Sequence, residues 1–197
     1  MALILASGSP RRRELLAQLG VEFSVVPANI DESVQPEETP EDYVLRMAME
    51  KAQTIAREHS GVSVLGADTT VVLDDDILGK PAGHGDALAT LARLSGRSHK
   101  VMTGICLATP AGSHGEVVTT EVTFITLDLD TCEAYLATDE PWDKAGGYGI
   151  QGLAGAFVRT IEGSYSNVVG LPLAETWALL SRHGIGGALG APKESEQ

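Results

Sequence analysis

An aspartate in the middle of an apolar strand is the first residue that demands a chemical reason. Residues 62–73 read VSVLGADTTVVL, so Asp68, Thr69 and Thr70 interrupt a run of apolar and β-branched positions. Burying a carboxylate there is costly unless it is paired or metal-bound. Asp68 is therefore a candidate general base or metal ligand, the alternative being a structural hydrogen bond to a neighbouring loop. A second charge sits where an apolar residue belongs. In a helix over 40–59, Val44, Met47, Ala48, Ala52 and Ile55 share one face, and Lys51 falls in its middle. A lysine is rarely buried without a partner. It either snorkels to water or points into a cleft to meet an anion, and the second reading is adopted here.

Other segments offer groups for phosphate. In LASGSPRR, residues 5–12, a strand runs through a Ser7–Ser9 loop into a helix N-terminus. Free amides and the helix dipole favour anions at such a place. Arg11, Arg12 and Arg13 lie in the first turn, where cations are unfavourable for the helix; they either grip phosphate through planar forks or are solvated. The loop is not a Walker A motif. Lys80 precedes Pro81 just off a strand end, in reach of a phosphate or of water. DKAGGYGIQG, residues 143–152, reads as a turn that carries Gln151, whose amide can pair with a base edge. Asp31 and Glu32 lie in a polar loop and carry no signal by themselves.

The elements that must position these groups alternate between strand and helix, which predicts an α/β fold. Strands are expected over 3–6, 23–26, 63–73, just after a turn at 74–76, and over about 99–109, 115–127 and 156–160. Ser9-Pro10 and Thr39-Pro40 open helices ending at Gly20 and near His59. Further helices are expected over 84–95, from a capping box at Asp130–Glu133 to about Thr138, and over 171–183. One domain over 1–184 and a flexible tail over 185–197 complete the outline. In a regular strand Asp68 and Thr69 face opposite sides, so service to one site would need a bulge, a bend or a strand with both faces in use.

The composition narrows the function. The 197 residues carry a formal net charge of -13, a poor match to nucleic acid, although convergent basic residues or a metal can still hold one small polyanion. No run reaches the roughly 20 apolar residues of a membrane helix. The N-terminal order of apolar and basic residues is not that of a signal peptide. Two distant cysteines and five histidines without ligand spacing argue against a disulfide framework or zinc site, and the compartment is read as cytoplasm.

The segments LASGSPRR (5–12), Asp31-Glu32, MEKA (49–52), LGADTTV (65–71), GKP (79–81), DEPWDKAGGYGIQG (139–152) and GSYSNVVGLPL (163–173) follow one another along nearly the whole chain. In this combination the sequence resembles the Maf family of nucleotide pyrophosphatases. The resemblance implies an α/β fold in which a bent mixed sheet forms two lobes around a central cleft. It implies hydrolysis of nucleoside triphosphates to monophosphate and pyrophosphate with a divalent cation, magnesium before manganese or cobalt, in a homodimer. Asp68 matches the proton acceptor, and Arg11, Thr69 and Gln151 match the positions tied to base choice. Their identities resemble the branch acting on dTTP and UTP, with no departure at a site position. The competing readings are a 7-methyl-GTP pyrophosphatase and a nucleotide-binding regulator of division with little turnover. On the first reading Ser7, Ser9, Arg11, Arg12, Lys51 and Lys80 hold the triphosphate. Asp68 and Glu32 hold the metal, and Thr69 and Gln151 read the pyrimidine.

Overall fold

Short apolar runs and capped amphipathic segments fold where their patterns place them. The computed structural model describes residues 2–190. Its strands are β1 (Leu3–Leu5), β2 (Ser24–Val25), β3 (Ser63–Leu73), β4 (Asp76–Leu78), β5 (Ser98–Thr109), β6 (Gly112–Phe124) and β7 (Val158–Glu162). Its α-helices are α1 (Pro10–Gln18), α2 (Pro40–Glu58), α3 (His84–Leu94), α4 (Leu129–Leu136), α5 (Tyr165–Val169) and α6 (Leu173–Arg182). One mixed sheet has the strand order β2-β1-β3-β5-β6-β7, with β4 paired to β3. β1 runs parallel to β2 and β3, while β3–β4 and β6–β7 are antiparallel, the last with an irregularity at Thr123/Phe124. The expected α/β class is the observed one.

Within the span read as one domain, the described chain forms two compact units. The first takes residues up to Asp68, then Thr103–Val118, then the chain from Gly170. Ile4, Ala6, Ala48, Ala52, Ile55, Val64, Cys106 and Ala108 form a core cluster in it. α2 lies close on its strands because glycines face it. A Cβ on Gly66 of β3 would overlap the Ala48 carbonyl and sit 2.8 Å from the Ala52 nitrogen. One on Gly104 of β5 would sit 2.6 Å from the Val44 carbonyl carbon. The second unit takes Thr69–Met102 and Thr119–Val169, and packs α3 and α4 around Phe124, Tyr135, Tyr148 and Phe157.

Several boundaries differ from expectation for local reasons. α4 is capped by Asp128, which accepts from the Thr131 amide at 2.8 Å; the expected cap, Asp130, lies inside the first turn. Asp128 already has an extended backbone and its carboxylate reaches N3, so the cap falls two residues early. β6 begins at Gly112, whose positive φ closes the hairpin, and stops at Phe124. Three 3-10 turns, Pro141–Asp143, Ala145–Gly147 and Leu153–Phe157, fill the glycine-rich stretch and delay β7 to Val158. α5 was not expected; the Ser164 hydroxyl accepts from the Asn167 amide at 3.2 Å and starts it. Of the expected tail, residues 185–190 lie against the end of α1, with Ile185 buried and the Ala188 amide on the Leu19 carbonyl at 3.0 Å. Residues 191–197 lie outside those described.

Candidate active site

The predicted face of α2 is buried as a set, Val44, Met47, Ala48, Ala52 and Ile55, and Lys51 is buried with it. Its ammonium does not snorkel. Lys51 Nζ lies 2.6 Å from Asp68 Oδ1 and 2.6 Å from Glu32 Oε1. Asp68 reaches it because β3 alternates: Val64 and Gly66 face α2, and two residues further on so does Asp68. Asp68 and Lys51 are 9% and 8% exposed, so this charge pair is largely withdrawn from water, while Glu32 is exposed.

Glu32 arrives on a loop that α2 itself clamps. The Tyr43 hydroxyl donates to the Glu32 carbonyl at 3.0 Å. Arg46 Nη2 donates to the Ser33 carbonyl at 3.0 Å and to Glu38 Oε2 at 2.7 Å. Residues 43 and 46 lie one turn apart on α2, so one stripe of the helix fastens the acidic loop beside Lys51. Hydrogen bonds from Arg46 hold the Glu38 carboxyl below its ordinary value, and Glu38 in turn raises the Arg46 guanidinium.

The N-terminal loop supplies the next cations. Ser9 caps α1, its hydroxyl accepting from the Arg12 amide at 3.4 Å. Ser7 Oγ accepts from the Ser9 amide at 3.2 Å and from Arg12 Nη1 at 3.4 Å. Arg12 Nε donates to the Gly170 carbonyl at 2.8 Å, fixing the guanidinium. Burial pulls Arg12 below its ordinary pKa; the charges of Asp68 and Glu32 oppose this and Arg11 adds to it. Ser7, Ser9, Arg11, Arg12, Glu32, Lys51 and Asp68 thus gather in the first unit.

The second unit holds the remaining predicted residues. Thr69 is half-buried; Lys80 and Gln151 are exposed. The Gly146 amide donates to the Gly79 carbonyl at 3.0 Å, which ties the Lys80 segment to the glycine-rich loop. Gly146 has φ +67°, and a side chain there would press on Val71. Gln151 stands on a tight turn closed by the Gly152 amide on the Gly149 carbonyl at 3.1 Å.

Two carboxylates converging on one ammonium are hard oxygen donors suited to a small divalent cation. Among the described residues no three His, Cys, Asp or Glu side chains group as a metal site.

A family profile described as Maf-like protein matches residues 2–183. The chain belongs to the Maf family. Among its Maf relatives, the protein named dTTP/UTP pyrophosphatase of Colwellia psychrerythraea (strain 34H / ATCC BAA-681) is 55% identical, over 95% of this chain and 91% of that protein. The proteins of the same name from Hahella chejuensis (strain KCTC 2396) and Escherichia coli (strain K12) are 53% and 52% identical, covering 93% and 91% of this chain and 92% of each relative. A solved Ham1 protein of Staphylococcus aureus aligns with TM-score 0.46 and 12% identity, over 63% of this chain and 72% of that one.

The motif residues quoted for the Maf resemblance include Asp68 and Lys51, which chemistry alone also singled out. Sequence reasoning missed Tyr43 and Arg46. Their signal was the spacing from Lys51 back along α2, which marks a polar stripe adjoining the apolar one.

Proposed function

We propose that this Maf protein hydrolyses dTTP and UTP to the monophosphate and pyrophosphate. The observation that carries the reading is the Lys51 ammonium bracketed at 2.6 Å by both Asp68 and Glu32, with the Arg12 guanidinium in electrostatic range of both acids. The names of relatives at 52–55% identity support the choice of nucleotide. The alternative on 7-methyl-GTP has no observation in its favour.

In this reading a water attacks the α-phosphorus, the bond to the bridging oxygen of the β-phosphate breaks, and pyrophosphate leaves with that oxygen. Asp68 orients the water and accepts its proton. Arg11, Arg12, Lys51 and Lys80, with the Ser7–Ser9 loop, bind the triphosphate and offset the charge that builds on it. Asp68 and Glu32 would hold a divalent cation, most suitably magnesium, which supplies charge neutralisation when bound. Thr69 and Gln151, with Arg11, select the base. We assign the protein to the cytoplasm as a homodimer; the buried free thiols of Cys106 and Cys132 suit a reducing compartment. Its role is either in preventing the incorporation of modified nucleotides or in cell division arrest.

Product analysis over dTTP, UTP, CTP, ATP, GTP and 7-methyl-GTP with magnesium tests this. Pyrophosphate and monophosphate should come from dTTP and UTP, and Asp68→Asn should lower kcat by about 10²- to 10⁴-fold with the fold intact. A fully active Asn variant removes Asp68 from the mechanism. Tight nucleotide binding without turnover favours the regulatory reading.

A further inference from the structure

The turn that displays Gln151 is held from both sides by one carboxylate–phenol pair. Glu140 Oε2 accepts from the Leu153 amide at 2.7 Å, and Oε1 accepts from the Ala154 amide at 3.2 Å. The Tyr135 hydroxyl donates to the same Oε1 at 3.0 Å, and a Cβ on Gly149 would lie 3.8 Å from that oxygen. The backbone at residue 149 before Gln151 therefore lies against this pair, and the amides of residues 153 and 154 after it end on Glu140. Gly152 is part of the device, because a Cβ there would overlap the Glu140 carboxylate. Lys144 adds a brace: its ammonium donates to the Glu140 carbonyl at 2.6 Å, and its stem packs against Gly149. Glu140 precedes Pro141 and a 3-10 turn, so its own backbone is constrained. Tyr135 lies on α4 in the core of the second unit and is 4% exposed. The pair thus connects a rigid element to an exposed turn.

We propose that Glu140 and Tyr135 are specificity-positioning residues: they fix the turn so that Gln151 meets a pyrimidine in one orientation. This rests on the reading of Gln151 as the base-selecting residue. The physical need is plain. An exposed glutamine on a glycine-flanked turn samples many orientations, and a paired donor and acceptor discriminates only when its direction is set. Charge-assisted hydrogen bonds donated by amides to a carboxylate are stronger than neutral ones, so the carboxylate suits the task better than a carboxamide.

The test compares wild type, Gln151→Ala, Glu140→Gln, Tyr135→Phe and the Glu140→Gln/Gln151→Ala double variant. For each, kcat/KM is measured with dTTP, UTP, CTP and GTP, and folding is checked by thermal melting. Glu140→Gln keeps the shape but presents an amide to backbone donors. It should lower the preference for dTTP and UTP over CTP and GTP toward that of Gln151→Ala, by up to about 10²-fold. In the Gln151→Ala background it should change the preference no further, since the two residues act as a unit. Tyr135→Phe should shift the preference the same way and speed exchange of the Leu153 and Ala154 amides, which end on the carboxylate that Tyr135 holds; it decides the matter if Glu140→Gln does not fold. An equal loss with every nucleotide, or an unchanged preference in folded Glu140→Gln and Tyr135→Phe, overturns the proposal. Wild type without preference, or Gln151→Ala with wild-type preference, overturns the underlying reading of Gln151 instead.

Discussion

A buried histidine gives the protein a pH response away from the candidate site. His99 is 3% exposed, with Nε2 2.7 Å from the Tyr148 hydroxyl and its ring edge-on to Phe124. Burial pushes its pKa down from 6.5 to about 4. The folded state holds this imidazole neutral, whereas the unfolded chain binds a proton once the pH drops below 6.5. Stability should therefore fall as the pH goes from 6.5 toward 4, by about 3 kcal/mol for this group when fully titrated. His99→Leu should be less stable at pH 7, because it leaves the Tyr148 hydroxyl without its imidazole partner, yet lose less on acidification. Urea midpoints of the two proteins at pH 7 and 4.5 check this; parallel declines would refute it. Lys51 makes the complementary case. Lys51→Met strips Asp68 of its ammonium and should cost about 1–3 kcal/mol as well as activity, again read by urea midpoint and product analysis. The sequence exposed Lys51 and Asp68 because each charge violates an apolar pattern. Glu32 violates nothing, standing in a polar loop, so only the Maf motif marked it. The burial of His99 was not legible, since a histidine at the start of a strand has no pattern to break.

α2 turns a helix pattern into site geometry, and its seat is made of missing side chains. Gly66 on β3 and Gly104 on β5 face the helix where a Cβ would overlap the backbone around Ala48 and Val44. Ala48 and Ala52 keep the helix side of the contact small. Gly66→Ala should push α2 off the strand, costing about 1–3 kcal/mol by overpacking. It lies two residues from Asp68 on the same face, so it should also lower kcat more than a remote substitution of equal destabilisation. A thermal melt with single-turnover rates checks both; a destabilised variant with unchanged turnover would separate the seat from the site. The apolar face of α2 and its Thr39 cap were legible, because 3.6-residue periodicity and Ser/Thr-Pro caps are local signals. The glycine seat was not, since Gly66 read as one more residue of an apolar strand. The cap of α4 shows the limit of local rules: Asp128 and Asp130 both qualify chemically, and the chain's path after Phe124 chose the first. α5 escaped for lack of length, five residues giving no periodicity to see.

At the scale of the whole molecule, the first unit is assembled from three separated stretches of chain, and the last of them returns to the first. Composition after Gly184 suggests a loose end, being rich in Gly and Ala. The structure instead terminates α6 with a Schellman motif: the Ile185 amide reaches the Leu180 carbonyl at 2.9 Å and the Gly184 amide reaches Ser181 at 3.0 Å, with Gly184 at φ +69°. Beyond it the chain runs onto the end of α1. The Ala188 amide caps the Leu19 carbonyl, and Trp177 Nε1 donates to the Gly190 carbonyl at 2.8 Å. None of these partners is near in sequence to α1, so no local pattern could have shown them. Ending the chain after Gly184 should remove the burial of Ile185, worth about 1.5–3 kcal/mol, and the backbone hydrogen bonds from Ile185 to Leu180 and from Ala188 to Leu19, each worth about 0.5–1.5 kcal/mol. The truncated protein should unfold at lower urea, and its Trp177 fluorescence should report a more solvated indole in the native state. Ile185→Ala in the full chain should reproduce most of the stability loss without the fluorescence change, because the Gly190 carbonyl remains in place. If the truncation left the urea midpoint unchanged, the closure of the C-terminal segment onto α1 would contribute nothing to the fold, and Ile185 would be covered without stabilising it.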